Sequence, residues 1–185
     1  MTPIPLSVKI VVAGGFGVGK STFVGSISEI DPLRTEEVMT RSGEALDVVH
    51  DGSGKTSTTV GMDFGRVTLP RDRIVLYLFG TPGQERFHFM WDELSRGAIG
   101  AVVLCDTSRL DQSFAAVDYF EARSIPFVVG INCFHGVAHH GVEDVRSALA
   151  LAADVPMLLL DARRREHTRH ALLTVVRRAL AVSTL

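Results

Sequence analysis

Nine consecutive residues near the amino terminus, Gly14-Gly15-Phe16-Gly17-Val18-Gly19-Lys20-Ser21-Thr22, carry the densest chemistry in the chain. Gly14, Gly19, Lys20 and Ser21 stand at the spacing G-x-x-x-x-G-K-[ST], directly after an apolar run at 8–13 and at the head of an amphipathic stretch at 20–30. In a strand–loop–helix setting, the backbone N–H groups from Phe16 to Thr22 converge on an anion, and the positive end of the helix faces the same charge. Glycines let the backbone approach closely, Lys20 brings a cation to terminal phosphate oxygens, and the Ser21 hydroxyl is the type of group that binds Mg²⁺. The same residues read without a ligand are a glycine-rich turn.

Such a loop needs a strand to end on and a helix to begin. β-rich apolar runs at 8–13, 73–79, 100–105, 127–131 and 157–160 read as buried parallel strands, and 65–69 as a more polar edge strand pairing antiparallel with the next. Helices are expected at about 20–30, 86–96, 110–123, 142–153 and 165–182. The pattern predicts an α/β fold, a six-stranded, mostly parallel sheet with helices on both faces. With 185 residues, 46% of them hydrophobic, one domain over 1–185 is expected, with an N-terminal extension at 1–6 and an irregular segment at 31–58 suited to a switch.

Composition narrows the partners. Nineteen Lys and Arg against 21 Asp and Glu give a net charge of −2, so no cationic field is available for nucleic acid or for an anionic membrane. The two cysteines, Cys105 and Cys133, lie in apolar runs and read as inert thiols of a reducing compartment. The start of the sequence lacks the features of a signal peptide, and no run has the length of a membrane span. A cytoplasmic protein with no direct membrane insertion, reaching a membrane only through a partner, is expected.

A second block of motifs lies downstream, TTVGMDFG entering the strand at 65–69 and LYLFGTPGQERF leaving the strand at 73–79. With the glycine-rich loop, these residues make the chain resemble a small Ras-like GTPase over nearly its whole length. The resemblance is closer to the bacterial branch that includes the gliding-motility protein MglA and the GTPases of actinobacterial conservon operons. It implies that Thr59 is the switch I threonine, with its hydroxyl on Mg²⁺ and its N–H on the γ-phosphate, Thr58 being the second candidate. Gly83 then matches the switch II glycine and Gln84 the glutamine that orients the attacking water. Thr59 follows Lys20 by 39 positions, so 31–58 reads as an extended switch I. A Roadblock/LC7-type partner is implied, in the conservon case beside a sensor-kinase system.

Two departures from the family pattern stand out. Gly80 occupies the place of the aspartate of D-x-x-G, and Asp63, on the facing strand end, could supply that carboxylate as an outer contact to the metal or could simply cap the strand. The base-reading motif N/T-K-x-D is replaced by Asn132-Cys133-Phe134-His135. Asn132 can still meet the purine N7 edge and tie this loop to the phosphate loop, but Cys133 lacks a stem to cover the ring. His135 offers one acceptor where a carboxylate would take both N1–H and the 2-amino group of guanine. After the last strand, Ala162 is expected to give its N–H to the base O6 and Arg163 to stack on the ring. His135, His139 and His140 suggest either a zinc site or a solvated loop, and the Arg-rich segment 163–178 a solvated face or an acidic partner.

The expected function is a GTP/GDP switch with slow, Mg²⁺-dependent hydrolysis, using Lys20 and Gln84 and lacking an arginine at a switch position. A binding subunit that holds nucleotide weakly or not at all, and an ATP-preferring enzyme, are the alternatives.

Overall fold

β1 (Leu6–Gly14) alternates its burial partners as a central strand must: Ile10 and Val12 join one core, Val11 and Ala13 the other, and all four are fully buried. The computed structural model describes residues 5–40, 57–69, 73–133 and 140–183. In chain order β1 is followed by α1 (Lys20–Ile27), β2 (Leu33–Thr40), β3 (Ser57–Leu69), β4 (Ile74–Gly80), a 3₁₀ segment Glu85–Met90, α2 (Trp91–Ser95) and β5 (Ala98–Cys105). A 3₁₀ turn Leu110–Ser113, α3 (Phe114–Ala122), β6 (Phe127–Asn132), α4 (Val142–Ala148), β7 (Met157–Leu160) and α5 (Arg165–Ser183) complete it.

The sheet order is β2-β3-β4-β1-β5-β6-β7; β2–β3 and β3–β4 are antiparallel and the other pairs parallel. Phe23, Val24 and Ile27 of α1 and Leu172 and Val175 of α5 cover one face. Trp91, Phe120 and Val145, from α2, α3 and α4, cover the other. The expected α/β class and all six expected strands are present.

Five expectations change in detail. The segment 31–58 is not irregular throughout, because Leu33–Thr40 pairs with Ser57–Phe64 as a seventh strand. Its charged residues Arg34, Glu36 and Glu37 hid it, since a strand at a sheet edge needs no continuous apolar run. β3 is therefore an inner strand of 13 residues rather than a short edge strand. The helix expected at 86–96 divides into a 3₁₀ segment and the short α2, and Leu110–Ser113 likewise precedes α3 as a tight turn. Residue 6, expected in the N-terminal extension, already pairs with Ile74 in β1, while 41–56 of the expected switch lies outside the described residues.

Both cysteines are free; burial pushes the Cys105 thiol up to about 11, and burial also raises that of the half-buried Cys133. Thiols so protonated are poor nucleophiles and poor metal ligands. No helix among the described residues is long and apolar enough to cross a membrane.

Candidate functional site

At the carboxyl end of β1 the chain turns out of the sheet through Gly14, Gly17 and Gly19, with φ of 135°, 73° and 104°, and enters α1 at Lys20. Gly19 caps the helix in the left-handed region, and a Cβ there would lie 2.7 Å from Asn132 Nδ2. Glycine is thus required twice over at this position. The loop folds back over Lys20, whose Nζ donates to the carbonyls of Gly14 (2.9 Å) and Gly15 (2.7 Å). Lys20 is 8% exposed, and burial pulls its ammonium down to about 8 against the opposing pull of the Asp63 carboxylate. A buried cation without a full counter-charge is arranged to receive an anion.

Gly83 closes the other wall. A Cβ on it would fall 2.5 Å from Lys20 Nζ and 2.8 Å from the Phe16 nitrogen, so only glycine brings switch II backbone against the loop. Between these walls is a cleft of about 340 Å³, lined among others by Gly17, Ser21, Gly61, Asp63 and Gln84. Gln84 reaches it from the turn before the 3₁₀ segment, with its Oε1 accepting from Arg86 Nε at 2.9 Å.

Strand pairing brings a carboxylate to the place left without one at Gly80. Asp63 of β3 stands opposite Gly80 of β4, and a Cβ on Gly80 would lie 3.1 Å from Asp63 Cβ and 3.2 Å from its Oδ2. The buried Asp63 side chain fills the space that a residue-80 side chain would take, and its Oδ2 accepts from Ser21 Oγ at 2.5 Å. A hydroxyl and a carboxylate meeting beside a phosphate cradle are the oxygen donors that Mg²⁺ takes from protein, the remainder coming from phosphate and water. Backbone of Thr59 lies in β3 opposite Val38, and that of Thr58 opposite Met39. The expected metal role of the Thr59 hydroxyl falls outside the described side chains.

Against Gly19, outside the lining of that cleft, the tie expected of Asn132 is present: its Nδ2 donates to the Val18 carbonyl at 2.9 Å. Its Oδ1, however, accepts the Ala162 N–H at 3.0 Å, the group expected to meet the base. Arg163 is held by Asp161 through Nε to Oδ1 (2.9 Å) and NH2 to Oδ2 (2.7 Å), rather than standing free to stack. Hydrogen bonds from Arg163 take the Asp161 carboxyl down to about 2. Cys133 donates its N–H to Leu160 at 2.7 Å, and His135 and His139 lie outside the described residues. His140 is exposed, and no group of three metal-ligating side chains occurs among the described residues. In the basic carboxyl-terminal segment Arg178 is paired with Asp154 at 3.0 Å, so part of its charge is spent internally.

One residue escaped the sequence reading. Arg109, in the turn after β5, lays its guanidinium beside Gly17, where a Cβ would be 3.6 Å from NH2. The signal was its place just past the carboxyl end of a parallel strand, where ligand-binding loops of such sheets gather.

The family described as conserved hypothetical ATP binding protein matches residues 12–182. An uncharacterized protein of Methanocaldococcus jannaschii, MJ1339, is 30% identical over 127 residues, which are 68% of this chain and 69% of that protein. Human Ras-related protein Rab-44 is 42% identical over 79 residues, 40% of this chain and 8% of Rab-44. Rab-11C of Dictyostelium discoideum is 30% identical over 105 residues, 55% of this chain and 38% of its own length. Among solved structures, the cytosolic domain of the T. maritima FeoB iron transporter in its GDP form I superposes with a TM-score of 0.66 at 15% identity, over 96% of this chain and 64% of that one. At that identity the likeness speaks for the fold. The chain belongs to the family of conserved hypothetical ATP-binding proteins and is built as a Ras-like P-loop domain.

Proposed function

We propose that this protein is a nucleotide-dependent signalling switch that binds GTP and GDP with Mg²⁺ and hydrolyses GTP slowly, in the manner of the bacterial MglA and conservon GTPases. The observation that carries it is the convergence of Lys20, the Ser21–Asp63 pair and the Gly83 backbone on one cleft. Gly15 to Thr22 offer their N–H groups to the phosphates, and Lys20 holds charge on the terminal oxygens. Ser21, Asp63 and Thr59 would hold Mg²⁺, which supplies charge neutralisation at the β- and γ-phosphates. Gly83 senses the terminal phosphate through its N–H, and Gln84, released from Arg86, orients the attacking water. A Roadblock/LC7-type partner acting on switch II regulates turnover.

An ATP-preferring enzyme is favoured by a separate observation, the Ala162 N–H already bonded to Asn132, which leaves O6 of guanine without that donor. Chromatography of the nucleotide released from natively purified protein decides between them: guanine nucleotide is expected, adenine nucleotide reverses the assignment, and none, with no binding on titration, supports a nucleotide-free subunit. Hydrolysis is checked by single turnover. Gln84→Ala is expected to lower the rate by about a hundredfold at unchanged affinity.

A further inference from the structure

Two glycines of the phosphate loop are roofed by the segment that follows β5. A Cβ on Gly15 would lie 2.7 Å from both Cβ and Oε1 of Gln112, and Gly17 lies beneath the guanidinium of Arg109, 3.6 Å from NH2 and 3.9 Å from NH1 on the same measure. The roof is a fixed structure. Asp106, buried at the end of β5, accepts from Ser108 N (2.9 Å) and Ser108 Oγ (2.6 Å) on one oxygen. Its other oxygen accepts from Arg109 Nε (3.2 Å) and NH2 (3.1 Å), and its carbonyl accepts the Arg109 N–H at 3.0 Å. One edge of the guanidinium is therefore anchored. NH1, on the other edge, has no hydrogen-bond partner among the described residues, and the side chain is 44% exposed.

From this arrangement we infer that Arg109 is a second cation of the phosphate site, set on the outer side of the loop to bond a phosphate oxygen of the bound nucleotide through NH1. The inference rests on the nucleotide-binding reading and extends it to a residue outside the motifs. Lys20 approaches the phosphates from within the loop; Arg109 approaches across Gly17, where a left-handed glycine leaves the passage clear. An anchored guanidinium loses little freedom on binding and gives directional donors to an anion, the condition under which a charge-assisted hydrogen bond is strong. Asp106 holds the fork in place, so it acts as a positioning residue.

Titration calorimetry with GTP and ATP, on the parent chain and on Arg109→Ala, Arg109→Lys and Lys20→Ala, tests this, with thermal unfolding to confirm folded variants. Arg109→Ala is expected to weaken both triphosphates by the same factor, about ten- to a hundredfold, because the contact reads phosphate and not base. Arg109→Lys, which keeps the charge and loses the anchored fork, is expected to recover part of that loss. Full affinity in folded Arg109→Ala and Arg109→Lys, beside lost binding in Lys20→Ala, overturns the inference and leaves the nucleotide reading intact. A loss confined to one of the two bases also overturns it. Absence of binding by the parent chain removes the reading and the inference together.

Discussion

The phosphate end of the site and the end expected to meet the base are built on opposite logic. At the phosphate end, groups are held in wait: Lys20 is buried with its charge only partly met, and Gly83 stands against it with no side chain between. At the base end, the polar groups satisfy one another, Asn132 with Val18 and Ala162, and Asp161 with Arg163. The first end spends folding energy to be ready for an anion, whereas the second must exchange internal hydrogen bonds for those of a base. The domain should therefore recognise the triphosphate strongly and the base weakly, and each expectation below tests that contrast.

The largest effect belongs to Lys20→Ala. Removing the one cation inside the loop is expected to lower GTP and ATP affinity alike by at least about a hundredfold, with circular dichroism unchanged, since Lys20 touches loop carbonyls and not the apolar core. Unaltered affinity in the folded variant would place the phosphates elsewhere.

Next is Asp63→Asn, which keeps the shape that fills the space beside Gly80 but removes the charge. Affinity for Mg²⁺, read from the magnesium dependence of nucleotide binding, is expected to fall by about ten- to a hundredfold, in the range for losing an outer partner of a metal site. The double change Asp63→Gly with Gly80→Asp moves the carboxylate to the facing strand and is expected to restore much of it. Unchanged magnesium dependence in Asp63→Asn would mean that Asp63 serves the strand pairing alone.

The contrast also explains what the sequence made legible. The phosphate loop was plain because its chemistry is local: backbone donors, cation and hydroxyl lie within nine residues. The central strands were plain too, since Ile10, Val11, Val12 and Ala13 are buried on both faces. Asp63 was visible only as one of two readings, because its role depends on the register that sets it opposite Gly80. β2 was hidden by edge charges, and Arg109 by the distance of 92 positions between it and Gly17, a contact that no local pattern encodes. The Ala162 N–H was given to the base because its competitor, Asn132, lies 30 residues away.

A smaller effect is expected at the base end. His135→Asp supplies the paired acceptor for N1–H and the 2-amino group, and should tighten GTP and GDP by about ten- to a hundredfold while leaving ATP nearly unchanged. Competition binding across GTP, ITP, XTP and ATP checks it. A parent chain that already prefers GTP over ITP by a large factor reads the 2-amino group with another residue, and the contrast between the two ends then narrows.

On affinity the mildest effect, towards tenfold per pH unit, is the pH signature of the waiting Lys20. Burial lowers its ammonium from the ordinary 10.5 to about 8, so between these values the unfolded chain carries a proton that the folded, nucleotide-free protein has released. Below pH 8 the charged form is buried at a cost of roughly 3 kcal/mol, and stability recovers that amount as pH rises from about 8 to 10.5. A bound triphosphate favours the ammonium and reverses the shift. Nucleotide binding at pH 9 is therefore expected to take up nearly one proton, with affinity falling towards tenfold per pH unit above 8, for GTP and ATP alike. Calorimetry in buffers of different protonation enthalpy measures the uptake, and Lys20→Met, with no ammonium to protonate, is expected to show none in whatever binding remains. His135→Asp should leave the uptake unchanged, because the base end holds its own hydrogen bonds and does not share the buried charge. No uptake at pH 9 by the parent chain would mean that Lys20 is already fully charged before nucleotide arrives, and that the phosphate end is no more expectant than the base end.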